Sequence, residues 1–241
     1  IKTKATISTD TVTLNGSKTF ITNGQNANLI LVVAKTDTSQ KAKGISIILC
    51  EENNKGFKRG KNLEKIGMKA QDTSELYFEE VVLPKENILG NAGQGFSQLM
   101  DELPQERLSI AVTAISAAEA ALNWTIAYVK ERTAFDKKII EFQNTKFTLA
   151  KLKADITVGR AFIDRCIKEH INNNFSAEDG AIAKLWCTDL QFKVMDECLQ
   201  LHGGYGYMKE YPIARAFLDS RVQRIYGGTN EIMKEIISRN L

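Results

Sequence analysis

The sequence predicts an α+β protein, an antiparallel β-sheet or partial barrel followed by an up-down α-helical bundle. Three observations carry that expectation. Residues 1 to about 90 hold Thr-rich and apolar runs punctuated by Asn-Gly pairs, with no helical period through them. From about residue 91, apolar residues recur at helical spacing over long stretches. Strands and helices are segregated rather than alternating, which argues against a Rossmann domain. Gly93-x-Gly95 and Gly203-Gly204-x-Gly206 are therefore not read as dinucleotide fingerprints. The expected domains are 1–90 and 91–241.

Taken in order, Thr3–Ser8 and Thr11–Leu14 read as short strands. Asn15-Gly16 reads as a hairpin turn into Ser17–Thr22, and Asn23-Gly24 turns again. Leu29–Ala34 and Ile45–Cys50 are nearly continuous apolar runs, the pattern of strands covered on both faces. Glu75–Leu83 is the last strand, stopped by Pro84. Phe96, Leu99, Met100 and Leu103 then form a helical stripe, and Leu108, Ala111, Ile115, Ala118, Leu122, Ile126 and Val129 a longer one. Pro104 is expected to divide the two, because proline suits a helix's first turn and disrupts its interior.

A second long helix reads through Leu149, Leu152, Ile156, Ile163, Ile167 and Ile171. A third starts at Ser176, with Asp179 completing a capping box, and carries Ile182, Leu185, Trp186, Leu190, Val194 and Leu201. Gly203-Gly204 ends it as a left-handed cap. Tyr211-Pro212 opens a shorter helix. Thr229 caps the last one, whose expected buried stripe is Ile232, Met233, Ile236 and Ile237.

Composition narrows the class. The 241 residues are 43% hydrophobic and 25% charged, ordinary for a soluble globular protein of one or two domains. Net charge is +3, from 32 Lys plus Arg against 29 Asp plus Glu, too balanced to indicate nucleic acid. Cys50, Cys166, Cys187 and Cys198 form no CxxC pair and read as reduced and buried, which suits an intracellular compartment. With His170 and His202 the only histidines, a His-rich metal site is not expected. No apolar run is expected to reach membrane-spanning length. The chain opens at Ile1 without a signal pattern and is expected to be part of a longer protein.

The chain is organised around Ile225-Tyr226-Gly227-Gly228-Thr229-Asn230-Glu231-Ile232. Paired glycines let a backbone approach something bulky, and the helix start that follows offers free N–H donors. Alone, this stretch is a turn before a capped helix. Other segments change that reading: Phe20-Ile21-Thr22-Asn23-Gly24, Lys65-Ile66-Gly67-Met68-Lys69-Ala70, Glu131-Arg132-x-x-Phe135, Gln200-Leu201-His202-Gly203-Gly204-Tyr205-Gly206, Tyr211-Pro212-x-x-Arg215 and Asp219-x-Arg221. In this order and spacing the chain resembles the acyl-CoA dehydrogenase flavoproteins, from part-way through their middle β-domain to the end of their helical domain. The long-chain subtype is the nearest pattern.

The resemblance implies oxidation of a long-chain or branched acyl-CoA to the trans-2-enoyl-CoA. A carboxylate would take the α-proton and FAD the hydride, with electron-transfer flavoprotein as the onward acceptor. The family's usual catalytic Glu follows the Tyr of the last motif, where this chain has Gly227. The long-chain and isovaleryl subtypes supply it from the start of the long helix, and the matching residue here is Glu106, in Leu103-Pro104-Gln105-Glu106-Arg107-Leu108.

Carried over residue by residue, Phe20, Ile21 and Thr22 would lie against the isoalloxazine. Arg132, Phe135 and Gln143 would reach the FAD of a neighbouring subunit, and Gln200, Leu201, His202, Gly203 and Gly204 the adenosine-diphosphate half. Thr229 and Glu231 would hold the flavin's own phosphates or ribityl chain. Asp136 replaces the Gly usual after the Phe, and Glu231 replaces a Gln. The Gly227 N–H would donate to the thioester carbonyl, and Leu99, Leu103, Arg107, Ile110, Tyr226 and Gly228 would border the substrate. The implied assembly is a homo-oligomer, a dimer of dimers, in a bacterial cytoplasm or mitochondrial matrix. An acyl-CoA oxidase, or an oligomerisation module that has lost catalysis, are the alternatives.

Overall fold

A computed structural model describes residues 1–239 and 241. By packing, the chain divides into Ile1–Asp101 and Glu102–Leu241.

The first unit is a six-stranded sheet of β1 (Lys4–Ile7), β2 (Thr11–Thr22), β3 (Leu29–Lys35), β4 (Ile45–Glu51), β5 (Phe57–Asn62) and β6 (Thr73–Pro84), ordered β4-β3-β1-β2-β6-β5. It is open, with β4 and β5 at its edges, and its pairings are antiparallel except β1 with β3. Val12, Leu14, Val32, Ile48, Leu76, Phe78 and Val81 fill its core. In β4 Ile45, Ser46, Ile47 and Ile48 are all buried, because the Leu89 N–H donates to the Ile47 carbonyl (2.9 Å) and the Gly93 N–H to the Ser46 hydroxyl (2.9 Å) across its second face. β3 differs from expectation. Ile30, Val32 and Ala34 are buried while Leu29 and Leu31 are half exposed, so it has one covered face.

The Asn15-Gly16 turn is not formed. β2 runs through it as a bulge, with a register shift between Leu14 and Gly16 against β6. A Cβ on Gly16, whose φ is +137°, would lie 2.8 Å from the Thr3 Cα, so the glycine serves close strand packing rather than reversal. The reversal falls at Ser8–Asp10, where the Ser8 N–H donates to the Thr11 carbonyl at 2.8 Å. Asn23-Gly24 does turn, with Asn23 at φ +58°. Strand β5 was not anticipated, since Phe57-Lys58-Arg59-Gly60-Lys61-Asn62 has no branched aliphatic residue.

The second unit is helical. α1 (Gly95–Glu131) enters it at Glu102 and continues unbroken past Pro104. An interior proline forfeits a backbone hydrogen bond and costs about 3 kcal/mol in isolation. Here α3 (Ala177–Leu201) comes close at this point, where a Cβ on Gly180 would sit 3.2 Å from the Pro104 Cα and carbonyl. α2 (Gln143–Ile171) is joined to α1 by a forked ion pair, Arg160 Nε to Glu119 Oε1 at 3.0 Å and Nη2 to Oε2 at 2.6 Å. α4 (Pro212–Ser220) and α5 (Asn230–Ser238) pack against α3.

The capping box at Ser176 and Asp179, the proline at the first position of α4 and the Thr229 cap of α5 all form as read. α3 buries Ala181, Lys184, Cys187, Thr188, Gln191, Val194, Met195 and Cys198, whereas Trp186 is 40% exposed. The inner face is thus smaller in side chain than the stripe chosen from sequence. In α5 Asn230 and Met233 are buried while Ile232 is half exposed, and Ile171 ends α2 in solvent. All four cysteines are free and buried.

The sequence reading counted no membrane-length apolar run, yet α1 has one by length and composition, with a window of mean hydropathy 1.3. Its apolarity comes largely from Ala111, Ala114, Ala118 and Ala121, which lie fully buried in the bundle core. A soluble core helix passes the same test.

Candidate active site

Two sites assemble within the second unit, each around a glycine pair. The first is a cleft of about 640 Å³ lined by residues that include Tyr128, Arg132, Gln200, Leu201, His202, Gly203, Gly204, Tyr205 and Met208. α1 supplies Tyr128, and Arg132 follows its last turn. α3 ends at Leu201, and Gly203, at φ +58°, turns the chain into a 3-10 segment through Tyr207. Cβ atoms built on Gly203 and Gly204 would meet nothing within 4 Å, so this stretch of backbone lies open.

Behind it is an aromatic cluster. Tyr128 stacks on His202 with ring centroids 4.3 Å apart and donates its hydroxyl to the His202 carbonyl at 3.2 Å. The His202 Nδ1–H donates to the Cys198 carbonyl at 2.8 Å, which leaves Nε2 of the neutral ring as an acceptor. Burial holds this imidazole below its ordinary pKa, opposed by that hydrogen bond. The Arg132 guanidinium lies 5.6 Å from the Tyr205 ring centroid. A fixed cation beside bare glycine backbone and flat aromatic walls suits a nucleoside diphosphate.

The second site is the turn between α4 and α5. Gly227 and Gly228 have φ of +66° and +94°. The Arg107 Nε–H donates to the Gly227 carbonyl at 3.4 Å. Lys184 Nζ donates at 2.8 Å to both the Gly228 carbonyl and Asn230 Oδ1. Ile110 presses on the same turn, its Cδ1 2.5 Å from where a Gly227 Cβ would be. Burial lowers the pKa of Arg107, with Glu106 opposing, and pushes Lys184 down to about 8. It raises that of Tyr226. Glu106 is exposed, adjacent to Arg107 and one helical turn before Ile110. Leu103 is partly buried one turn earlier.

The remaining sequence-predicted residues are placed as follows. Thr229 accepts from the Ile232 N–H, and the Glu231 carboxyl is held below its usual pKa by its own backbone amide and the Thr229 hydroxyl. Phe135 and Gln143 do not line the cleft. Phe135 is 89% exposed on a two-residue hairpin loop between β7 (Thr133–Ala134) and β8 (Lys137–Lys138), edge-on to Phe142, and Gln143 is the exposed first residue of α2. Both loop residues, Phe135 and Asp136, have positive φ, as a type I′ turn requires.

In the first unit Phe20, at φ +60° and 76% exposed, sits in a second bulge of β2, and Ile21 and Thr22 pair with Ser74 and Thr73. Leu99 lies on the opening turns of α1 that side with the strands. Sequence reasoning gave no role to Tyr128, Ala134, Ile139 or Met208, and named Tyr205 only as part of a motif. Tyr128 lies one helical turn before Arg132, a signal that was available.

Residues 93–241 match the family model for the acyl-CoA dehydrogenase C-terminal domain, and residues 1–81 that for its middle domain. The chain belongs to the acyl-CoA dehydrogenase family. It is 51% identical over 243 aligned residues to the mitochondrial long-chain specific acyl-CoA dehydrogenase of Mus musculus, covering 100% of this chain and 56% of the mouse protein. An acyl-CoA dehydrogenase crystal structure from Geobacillus kaustophilus superposes with a TM-score of 0.97 at 48% identity, over 100% of this chain and 64% of that one. A structure described as the electron transferring flavoprotein of Acidaminococcus fermentans gives 0.95 at 37%, over 99% and 63%. The chain therefore spans little more than half the length of the mouse dehydrogenase. Among the described residues no cluster of three or more His, Cys, Asp or Glu could hold a metal.

Proposed function

We propose that this chain is the middle (1–90) and C-terminal (91–241) part of an FAD-dependent acyl-CoA dehydrogenase acting on long-chain or branched acyl-CoA. One observation above all supports the reading. Arg107 and Ile110 of α1 border Gly227, so Glu106, adjacent to one and a turn before the other, belongs to the helical stretch beside that turn. The family's usual carboxylate position is Gly227, and the replacement comes from the helix beside it.

In this reading the Glu106 carboxylate takes the α-proton. The proton is acidic only while enolate charge is stabilised at the thioester oxygen, to which the Gly227 N–H donates in this reading. Leu99, Leu103, Ile110 and Tyr226 line the acyl chain, and Arg107 and Gly228 hold the turn. FAD, when bound, supplies the hydride acceptor. The Gly203-Gly204 cleft fits its adenosine-diphosphate half, with Arg132 as the cation, in keeping with a homo-oligomer whose subunits complete one another's sites. Phe20, Ile21 and Thr22 face the ring system, and Thr229 and Glu231 the phosphate and ribityl side. Electron-transfer flavoprotein is the acceptor, a partner of the kind the Acidaminococcus structure names. A bacterial cytoplasm or mitochondrial matrix is the compartment, the mouse relative being mitochondrial.

The test is Glu106→Gln in the flavin-loaded full-length protein. The rate of anaerobic flavin bleaching by acyl-CoA is expected to fall roughly 10²–10⁴-fold with acyl-CoA affinity kept. An unchanged rate removes Glu106 from the mechanism.

A further inference from the structure

Lys184 lies on α3 with none of its surface exposed, and the chemistry above makes no use of it. Taking an ammonium out of water is costly unless its donors are met. Its Nζ has two partners, the Gly228 carbonyl and Asn230 Oδ1, both at 2.8 Å. Asn230 is itself fixed, its Nδ2 donating to Thr188 Oγ1 at 3.1 Å and to Asp189 Oδ1 at 2.9 Å. Asp189 ion-pairs with Arg224 Nε at 2.6 Å. The ammonium is thus aimed at the turn by a network anchored in α3.

A trans peptide points its N–H opposite to its C=O. With the Gly228 carbonyl drawn onto Lys184, the Thr229 N–H must face the other way. The Gly227 carbonyl on Arg107 does the same for the Gly228 N–H. Two consecutive glycines have little steric preference of their own, so these bonds decide which way the peptides lie.

We propose that Lys184 is a positioning residue that sets the orientation of the Gly227-Gly228 turn. By fixing the 228–229 peptide, beside the 227–228 peptide that Arg107 fixes, it limits the φ and ψ open to the two glycines, and so keeps the preceding 226–227 peptide, which carries the Gly227 N–H, where a thioester carbonyl can use it. The kinetic side of this rests on the acyl-CoA reading above; the backbone side does not.

Lys184→Met, matched in length but unable to donate, is the variant to make in the full-length protein. Hydrogen exchange at Tyr226, Ile232 and Met233, whose amides are bonded at the two ends of the turn, is expected to quicken at least tenfold, while α3 around Cys198 exchanges as before. With the flavin-loaded protein, the ¹³C=O stretch of a bound 1-¹³C-enoyl-CoA is expected to move back toward its free value. Flavin bleaching by acyl-CoA is expected to slow by about 10²-fold, the scale of a donor misplaced by an ångström. Thr188→Val removes one of the two anchors of Asn230 while Lys184 keeps its own bond to the Gly228 carbonyl, and should move the stretch far less than Lys184→Met does.

If exchange and stretch in Lys184→Met match wild type, the proposal fails. It also fails if Thr188→Val moves the stretch equally, since Lys184 would then be structural only. If Lys184→Met does not fold, Lys184→Gln, whose amide falls short of the Gly228 carbonyl, is read by the same measurements and limits. A wild-type protein that acyl-CoA does not bleach sinks the acyl-CoA reading instead, and leaves the exchange result to judge Lys184.

Discussion

Gly203-Gly204 and Gly227-Gly228 look alike in sequence and are opposites in structure. Side chains built on the first pair would meet open space, and the residues around it line a cleft. The second pair is packed on, by Ile110 at Gly227 and by Met233 Cε, 2.9 Å from a Gly228 Cβ, and both its carbonyls are held by buried cations. Beside the first pair the room stands open. The second is bare because the chain itself occupies the room. A glycine pair therefore does not reveal from sequence whether ligand or protein fills the missing volume.

The contrast can be broken first by pH. The Lys184 ammonium beneath the second pair is disfavoured by burial, with Arg107 and Arg224 adding to that and Asp189 and Glu231 opposing. Its folded pKa of about 8 lies below the ordinary lysine value of 10.5, so the unfolded chain binds more protons between these values. Stability then rises with pH across that window, by about 3 kcal/mol in full. Urea midpoints from pH 8 to 9.5 are expected to climb more steeply in wild type than in Lys184→Met. Equal slopes mean that Lys184 is not titrating there.

Alanine scanning sharpens the comparison next. Gly228→Ala forces a φ of +94° on an L-residue and is expected to cost roughly 1–3 kcal/mol of stability. Gly204→Ala meets no neighbour and is expected to change stability by no more than about 0.5 kcal/mol. If the cleft takes FAD as proposed, its effect is expected on FAD retention, because the added methyl stands in the cleft. The idea fails if the two urea midpoints shift alike.

The smallest effect belongs to His202. Its folded pKa is held down, so the stability its neutral form supplies is present above about pH 6.5 and declines as pH falls through that value. Melting temperatures between pH 7 and 5 should fall less in His202→Gln than in wild type. A parallel fall would show that His202 takes up its proton alike in the folded and unfolded chain, so that its folded pKa is not held down.

What was legible follows where chemistry is local. Ser176 with Asp179, Pro212 and Thr229 act within one helical turn, and each marks its boundary as read. Arg132 and Gln200–Gly204 were named on a resemblance, and the fold gathers them in one cleft. The failures come where tertiary packing overrides a local rule. Asn15-Gly16 has a hairpin's residues, but pairing with β6 on one side and Thr3 on the other makes it a bulge. Pro104 is an interruption by itself and a helix interior beside Gly180. The Phe135-Asp136 turn carries positive φ on two residues, of which only Asp136 is of a type that favours it. Lys184 left one faint sign, a charge on the helix face that Cys187, Thr188 and Gln191 also occupy.

The cysteines carry a practical consequence. Burial pushes the thiols of Cys50 and Cys198 to about 11 and that of Cys187 to about 12. At pH 8 only about one molecule in a thousand or fewer would then present a thiolate at any of them, so an alkylating reagent has almost nothing to react with until the chain opens. Cys50 lies in the sheet and the other three in the bundle, so the order in which the sulfurs become modified records which region gave way first. The protein holds its own clock for its failure, one set of hands in each half.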